Sequence, residues 1–240
     1  MKPAALACAL FAAALLAQNR PVETIKASKG DIRVTPIRHA SLMLEFGGKV
    51  IHVDPWSQGN YTDLPRADLI LITDIHGDHL DPKAIALVKK EGTRILAPAA
   101  VKEKVTEAEA IGNGESKTVD GVKVEAVAMY NLERGPKPGA KYHDKGRGNG
   151  YVVTLGGKRL FFSGDTECVP EIKALQNIDV AFLTMNLPFT MPPEEAAACV
   201  QAFRPKIVYP YHYRNSDLKV FENALKDEKG VEIRIRDWYY

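Results

Sequence analysis

Two glycine pairs, Gly47-Gly48 and Gly156-Gly157, punctuate this 240-residue chain, and each stands between runs of strand-forming residues. Before the first pair lie Ile32-Arg33-Val34-Thr35-Pro36-Ile37 and Ser41-Leu42-Met43-Leu44-Glu45-Phe46. After it, Val50-Ile51-His52-Val53 returns and Asp54-Pro55 stops the run. Adjacent glycines supply the turn residues of a tight hairpin, so both places read as hairpins. The second pair joins residues 151–155 to Leu160-Phe161-Phe162, and residues 122–129 form another strand-like run before them. Helix and strand signals then alternate in each half. Asp81-Pro82 marks a helix start, with Pro at the first helical position, reaching about Lys90 and closed by Gly92. A strand over 94–97 and a short helix after Pro98 follow. The second half predicts a helix over 169–175, a strand over 180–183, a helix from Pro192-Pro193 through Ala202 and a strand over 206–209. A helix over 218–226 and a strand over 231–235 complete it. Hairpins followed by alternation, twice over, predict an α/β chain: an αββα sandwich of two mixed sheets flanked by helices.

Within that plan the chemistry concentrates in Thr73-Asp74-Ile75-His76-Gly77-Asp78-His79, directly after the apolar run Asp68-Leu69-Ile70-Leu71-Ile72. Two carboxylates besides two imidazoles, placed where a buried strand gives way to a loop, form a donor set suited to a borderline divalent metal. Asp74 and His76 share one side of an extended segment, whereas Asp78 and His79 turn to a second point. The spacing suits two adjacent metal positions better than one.

Lys and Arg together number 32 and Asp and Glu 30, for a net charge of +2, so nothing in the balance points to a nucleic-acid partner. Lys2 precedes an apolar run over 4–17 and then Gln18-Asn19-Arg20. That run is short for a membrane span and fits a signal peptide over 1–17, so no stable membrane anchor is expected and the mature protein is expected to be secreted or periplasmic. A lead-in over 18–30 would precede a single domain over 31–240. Cys168 and Cys199 then remain; the compartment would permit a bond if geometry did and Cys168 could line the site, but both read as unpaired, Cys199 as a small buried residue of a helix. The segment 131–150 is the long irregular stretch, rich in glycine and charge, and long loops in compact domains are commonly functional.

Further candidates follow strand ends. His212 comes after Ile207-Val208-Tyr209-Pro210-Tyr211, and Asp165 after Phe161-Phe162-Ser163-Gly164. Side chains just beyond strand ends in packed-sheet architectures converge on one edge, where ligands bind. His52 alternates with Ile51 and Val53 inside a strand and reads as structural or surface.

On these residues the chain resembles the metallo-β-lactamase fold superfamily, in the branch that includes ascorbate-lactone hydrolase-like proteins. The family signature His-x-His-x-Asp-His is matched by Asp74, His76, Asp78 and His79, with Asp replacing the first His. Gly164-Asp165-Thr166, Pro210-Tyr211-His212-Tyr213, His39-Ala40-Ser41, Val53-Asp54-Pro55 and His143-Asp144-Lys145-Gly146-Arg147-Gly148 match in order. The resemblance implies metal-assisted hydrolysis of a small ester, lactone, phosphodiester or amide by a metal-bound hydroxide, or else a metal-binding, non-hydrolytic member of the fold. Zinc is implied, one ion or two, with manganese or iron as alternatives because of the extra carboxylate. Asp78, His79 and His212 would hold one ion, and Asp74 and His76 the other, with Asp165 bridging and Asp78 also given a catalytic part. The family's middle histidine has no counterpart: Asn131 stands near its place, and His143 could fold back to fill it. His39, Asp54 and Asn131 would stand behind the ligands and orient them. Cations of the loop (Arg134, Lys137, Lys141, Lys145, Arg147) favour an anionic substrate.

Overall fold

The computed structural model describes residues 21–239, and the expected signal peptide over 1–17 lies outside the described residues. The first half contains β1 (Glu23–Ile25), β2 (Ile32–Arg38), β3 (Ser41–Phe46), β4 (Lys49–Val53), β5 (Ala67–Leu71), α1 (Pro82–Val88), β6 (Lys89–Ala97), α2 (Ala99–Lys102) and β7 (Glu109–Ala110). The second contains β8 (Ser116–Val119), β9 (Val122–Met129), β10 (Gly148–Leu155), β11 (Lys158–Phe162), α3 (Pro170–Lys173) and β12 (Val180–Thr184). It ends with α4 (Pro193–Phe203), β13 (Ile207–Tyr211), α5 (Leu218–Leu225) and β14 (Glu232–Ile233).

Two seven-stranded sheets result, each in simple sequence order. In the first, β1 to β4 pair antiparallel and β4 to β7 parallel. In the second, β8 to β11 pair antiparallel and β11 to β14 parallel. Both sheets are therefore mixed. The glycine pairs close the β3–β4 and β10–β11 hairpins, and all four glycines have positive φ (56°, 76°, 55° and 80°), the requirement of a two-residue turn that follows strand twist.

Alternation along the strands sets the layers. Leu160 and Phe162 face the space between the sheets, with Leu42, Leu44, Leu71, Tyr151 and Trp238, whereas Phe161 faces α4 and packs on Phe203. Phe182 stacks between Phe162 and Tyr209 across neighbouring strands, with ring centroids at 4.9 and 5.0 Å. Each such fully buried ring contributes about 1.5–3 kcal/mol of burial free energy. Helices α3, α4 and α5 cover the outer face of the second sheet, and α1 and α2 cover that of the first. The expected αββα sandwich is the observed architecture.

Local boundaries differ from the sequence reading in instructive ways. Helix α1 starts as expected: Pro82 follows Asp81, whose carboxylate caps the N–H groups of Lys83 and Ala84. It ends at Val88 rather than near Lys90, because Lys89 already pairs with Ala67 in β6. Gly92 lies inside that strand at φ 81° instead of closing a helix. The loop expected over 131–150 ends earlier, since β10 starts at Gly148 opposite Met129. The lead-in contains β1, which adds an edge to the first sheet. Cys168 and Cys199 were read as unpaired, and this is corrected: they form a disulfide between the turn after Asp165 and α4, with Cα atoms 5.6 Å apart. Among the described residues no helix is long and apolar enough to cross a membrane.

Candidate metal centre

One rim of the sandwich collects the ends of most central strands. Chain leaving β4 presents Asp54, β5 leads into residues 72–79, and β9 leads to Asn131. Strand β11 leads to Asp165, β12 to Asn186, and β13 to His212, while the β2–β3 turn supplies His39. Ligand sites at the carboxyl ends of parallel strands follow from this layout. The backbone records the crowding there: His39, Asp54, His212 and Arg214 all have positive φ (59°, 44°, 51° and 41°), a strained region for residues with a Cβ.

The inner corner comprises His79, Asp165 and His212, all buried. His79 Nδ1 lies 2.8 Å from Asp54 Oδ2, and Asp54 also accepts from Thr73 N–H (2.7 Å) and Thr73 Oγ1–H (2.6 Å). Asp54 thereby fixes the ring and leaves Nε2 pointing away from it. That Nε2 is 3.4 Å from Asp165 Oδ2 and 3.9 Å from Asp78 Oδ1. His212 Nε2 is 3.2 Å from Asp165 Oδ1 and 3.6 Å from Asp78 Oδ2. Burial opposes charge on His79, but the carboxylates of Asp165 and Asp54 outweigh it and raise its pKa well above the usual imidazole range. Burial alone lifts the Asp54 carboxyl above its ordinary value. For Asp78 burial acts upward too, yet the neighbouring His212 and His39 imidazoles prevail and hold it far below the carboxylate range.

His39 donates or accepts at both nitrogens, Nε2 to Asp78 Oδ2 at 3.2 Å and Nδ1 to Tyr239 Oη at 2.6 Å. Burial, then the neighbouring His212, depress its pKa to about 4.

The outer corner comprises Asp74, His76 and His143. His143 does fold back from the glycine-rich loop: its Nε2 is 3.4 Å from Asp165 Oδ2 and 3.8 Å from Asp74 Oδ2. Asn131 stands behind it, accepting at Oδ1 from His143 Nδ1–H (2.8 Å) and from the His143 backbone N–H (2.8 Å). So the amide positions the imidazole and does not face the cluster in its place. Asp74, in the family's first histidine position, has both oxygens engaged: Arg147 Nε (3.2 Å) and Nη2 (3.0 Å) form a fork, and His76 Nδ1 lies 2.8 Å from Oδ2. Burial works against its ionisation, but the His76 hydrogen bond and the His79, His76 and Arg147 charges hold its pKa at about 2.

Asp165 stands between the corners, its Oδ2 reached from His79 and His143 and its Oδ1 from His212. The fit to a metal rests on four buried atoms: Nε2 of His79, His143 and His212 and Oδ1 of Asp165 make no hydrogen bond. Buried polar atoms are rarely left so, and unpaired imidazole nitrogen beside carboxylate oxygen is what a borderline divalent ion takes. The residues fit such an ion. A cavity of about 270 Å³ opens over them, lined also by Tyr142, Asn186, Phe189 and Arg214.

Reading the sequence missed several groups that this arrangement uses. Arg147 was noted as a loop cation and as part of the matched segment 143–148, but not as a partner of Asp74. Glu167 was not singled out, yet its buried carboxylate accepts from Asn131 Nδ2 and the backbone N–H groups of Leu132, Glu133 and Arg134, gathering the loop that carries His143. The loop's cations were expected to favour an anionic substrate, but several face the protein itself. Arg134 pairs with Glu195, Lys145 with Glu171, Arg147 with Asp74, and Lys141 donates to the Leu132 carbonyl. His52 is structural: buried, with Nε2 3.0 Å from the Pro65 carbonyl.

Two mixed sheets with imidazoles and carboxylates gathered at one rim define a fold with a candidate metal centre, and comparison with known proteins gives its class. Residues 33–212 match the family model of the β-lactamase superfamily domain, and the chain belongs to that family. A UPF0173 metal-dependent hydrolase of Thermococcus kodakarensis is 31% identical over 221 residues, 84% of this chain and 96% of the relative. A Parabacteroides distasonis protein, described as a metal-dependent hydrolase, is 43% identical with a TM-score of 0.85, over 90% of this chain and 98% of that one. The metallo-β-lactamase fold protein YhfI of Bacillus subtilis, at 13% identity and a TM-score of 0.67 over 85% and 90% of the two chains, shares the fold. The chain is thus a metal-dependent hydrolase of the metallo-β-lactamase superfamily.

Proposed function

We propose that the protein hydrolyses a small carbonyl ester or lactone at a zinc centre whose inner corner binds tightly and whose outer corner binds weakly. The observation that carries the reading is the set of unpaired buried atoms on His79, His143, His212 and Asp165 beneath a small cavity. Asp78, His79, Asp165 and His212 would hold the inner ion; His76 and His143, with Asp74, would hold the outer one. A bound divalent ion supplies Lewis-acid polarisation of a substrate oxygen and lowers the pKa of water from about 15.7 toward about 7.

The chain's own residues do the rest. Asp54 and Asn131 each engage a Nδ1, so that His79 and His143 present Nε2 to the cluster. Asp78 stays ionised at working pH and presents its carboxylate to the cavity floor, where it would help hold the ion. Tyr142 and Phe189 shield the reacting carbonyl from bulk water. In the reaction, water oxygen bonds to the carbonyl carbon and the carbon–oxygen bond to the alcohol breaks. One water proton ends on the alkoxide, giving acid and alcohol. An ester or lactone suits the cavity better than a phosphodiester because its wall carries one arginine and two aromatic rings rather than a cluster of cations.

Charge supports the unequal corners. Three carboxylates, Asp54, Asp78 and Asp165, gather around His79 at the inner corner, whereas the outer corner has one, Asp74, already paired with Arg147. Zinc titration of metal-free protein by calorimetry, with turnover of an ester and lactone panel, tests the reading. One tight and one weak ion with turnover supports it; Arg147→Met should strengthen the weak step. A single tight ion with no turnover would instead favour a non-hydrolytic metal-binding protein. An exported location is also part of the proposal, and the Cys168–Cys199 disulfide supports it, since such bonds persist in oxidising compartments.

A further inference from the structure

Four residues line the cavity without belonging to either corner: Tyr142, Asn186, Phe189 and Arg214. Their chemistry is specific. Asn186 follows β12 and is buried, and its backbone is wholly committed: its N–H donates to Thr190 Oγ1 (2.7 Å), and its carbonyl accepts from Phe189 N–H (3.0 Å) and Thr190 N–H (2.9 Å). The side chain is not committed, for Nδ2 is buried without an acceptor. Native proteins rarely leave a buried amide donor unpaired, and this one borders a cavity whose floor is built of candidate ligands.

Beside it, Phe189 is a large apolar side chain left 38% exposed. Its ring meets Tyr142 edge to face at 5.0 Å, making an apolar wall. Asn131 Nδ2 donates to the Phe189 carbonyl (2.8 Å) while its Oδ1 holds His143, so one amide ties the wall to the outer corner. Arg214 stands at the mouth, half-exposed, with Nη2 3.6 Å from Asp78 Oδ2. Its backbone N–H donates to Tyr239 Oη (2.7 Å), which anchors the turn at the base of the side chain. Among the residues lining the cavity it is the one lysine or arginine. The volume, about 270 Å³, falls just under the range of roughly 300–1,000 Å³ that takes drug-sized molecules, which limits the ligand to a small one.

We propose that this cavity recognises a small carboxylate-bearing ester or lactone: Arg214 takes the carboxylate, Asn186 Nδ2 donates to the carbonyl oxygen under attack, and the Tyr142–Phe189 wall packs on the apolar body. The inference rests on the hydrolase reading for the word ester; the recognition of a small aryl or alkyl carboxylate does not. A donor aimed at the carbonyl oxygen serves most where negative charge grows on it. An arginine at a cavity mouth both attracts and orients an anion.

The test uses zinc-loaded protein, with benzoate and its neutral isostere benzamide as probes, read by calorimetry. Benzoate should bind at least about tenfold more tightly than benzamide. Arg214→Ala should remove most of that preference, and Asn186→Ala should weaken benzamide, whose carbonyl it meets, several-fold and benzoate less, with variants compared at equal zinc content and similar melting temperature. Arg214 is half-exposed, so its variant keeps the test valid where the buried Asn186 variant misfolds. Benzoate affinity unchanged in Arg214→Ala would overturn the proposal, since the carboxylate would then rest on the metal alone. The two readings fail separately. No ester turnover with variant-sensitive benzoate binding sinks only the hydrolase reading, whereas ester turnover with variant-insensitive binding sinks only this one.

Discussion

The inner and outer corners of the site are built from the same residue types but by opposite means. At the inner corner His79, Asp165 and His212 are buried, and Asp54 braces His79 from behind with a carboxylate. At the outer corner His76 remains 44% exposed, His143 is braced by a neutral amide, and Asp74 is tied to Arg147. Gathering three carboxylates, Asp54, Asp78 and Asp165, around His79 favours a cation there, because uncompensated charge in a low-dielectric interior is costly. The outer corner has met that demand internally with a guanidinium. The Asp74–Arg147 pair therefore makes the two corners unequal.

The largest expected effect comes from removing a ligand on each side. His79→Ala should abolish the tight zinc equivalent, a loss of at least about 1,000-fold in affinity or about 4 kcal/mol, beyond what losing an orienting partner alone costs. His76→Ala should remove only the weaker equivalent. Zinc per chain by elemental analysis checks this, and a His76 variant stripped of all zinc would break the comparison.

Next in size is the disulfide, which sits beside Glu167 and so underpins the loop of the outer corner. Its sequence separation is 31 residues, and closing a loop of that length stabilises by about 3.5–4 kcal/mol in the chain-entropy description. Replacing both Cys168 and Cys199 by Ser should lower unfolding free energy in urea by about that much. The weak zinc step should suffer and the tight one persist; equal damage to both would mean that the corners share one support.

The smallest effect concerns His52 in β4, two residues before Asp54 and on the sheet face opposite Ile51 and Val53. Burial depresses its pKa from 6.5 to about 4, against a hydrogen bond to the Pro65 carbonyl that acts upward. The unfolded chain then binds a proton that the folded one refuses between about pH 6.5 and 4. Stability from this group is present above pH 6.5 and falls as pH drops through that window, by about 3 kcal/mol. His52→Gln should flatten the stability–pH slope there, measured as urea midpoints at several pH values. An unchanged slope would mean that another group carries the acid sensitivity.

Much of this protein was legible from sequence by itself. Gly-Gly turns demand positive φ, apolar alternation selects faces, and Asp81-Pro82 starts a helix; all three act within a few residues, so the αββα plan could be read. The run Asp74-Ile75-His76-Gly77-Asp78-His79 was readable for the same reason, being contiguous and set against a buried strand. What the tertiary structure decided are pairings across long separations. Arg147 meets Asp74 across 73 residues and Tyr239 meets His39 across 200. Cys168 finds Cys199 only because α4 packs beside the turn after Asp165. His143 reaches the outer corner because Glu167 and Asn131 gather its loop, and Asn186 matters because β12 ends at the same rim. Local propensity carries no information on such partners; packing two sheets so that their strand ends share one edge brings them together.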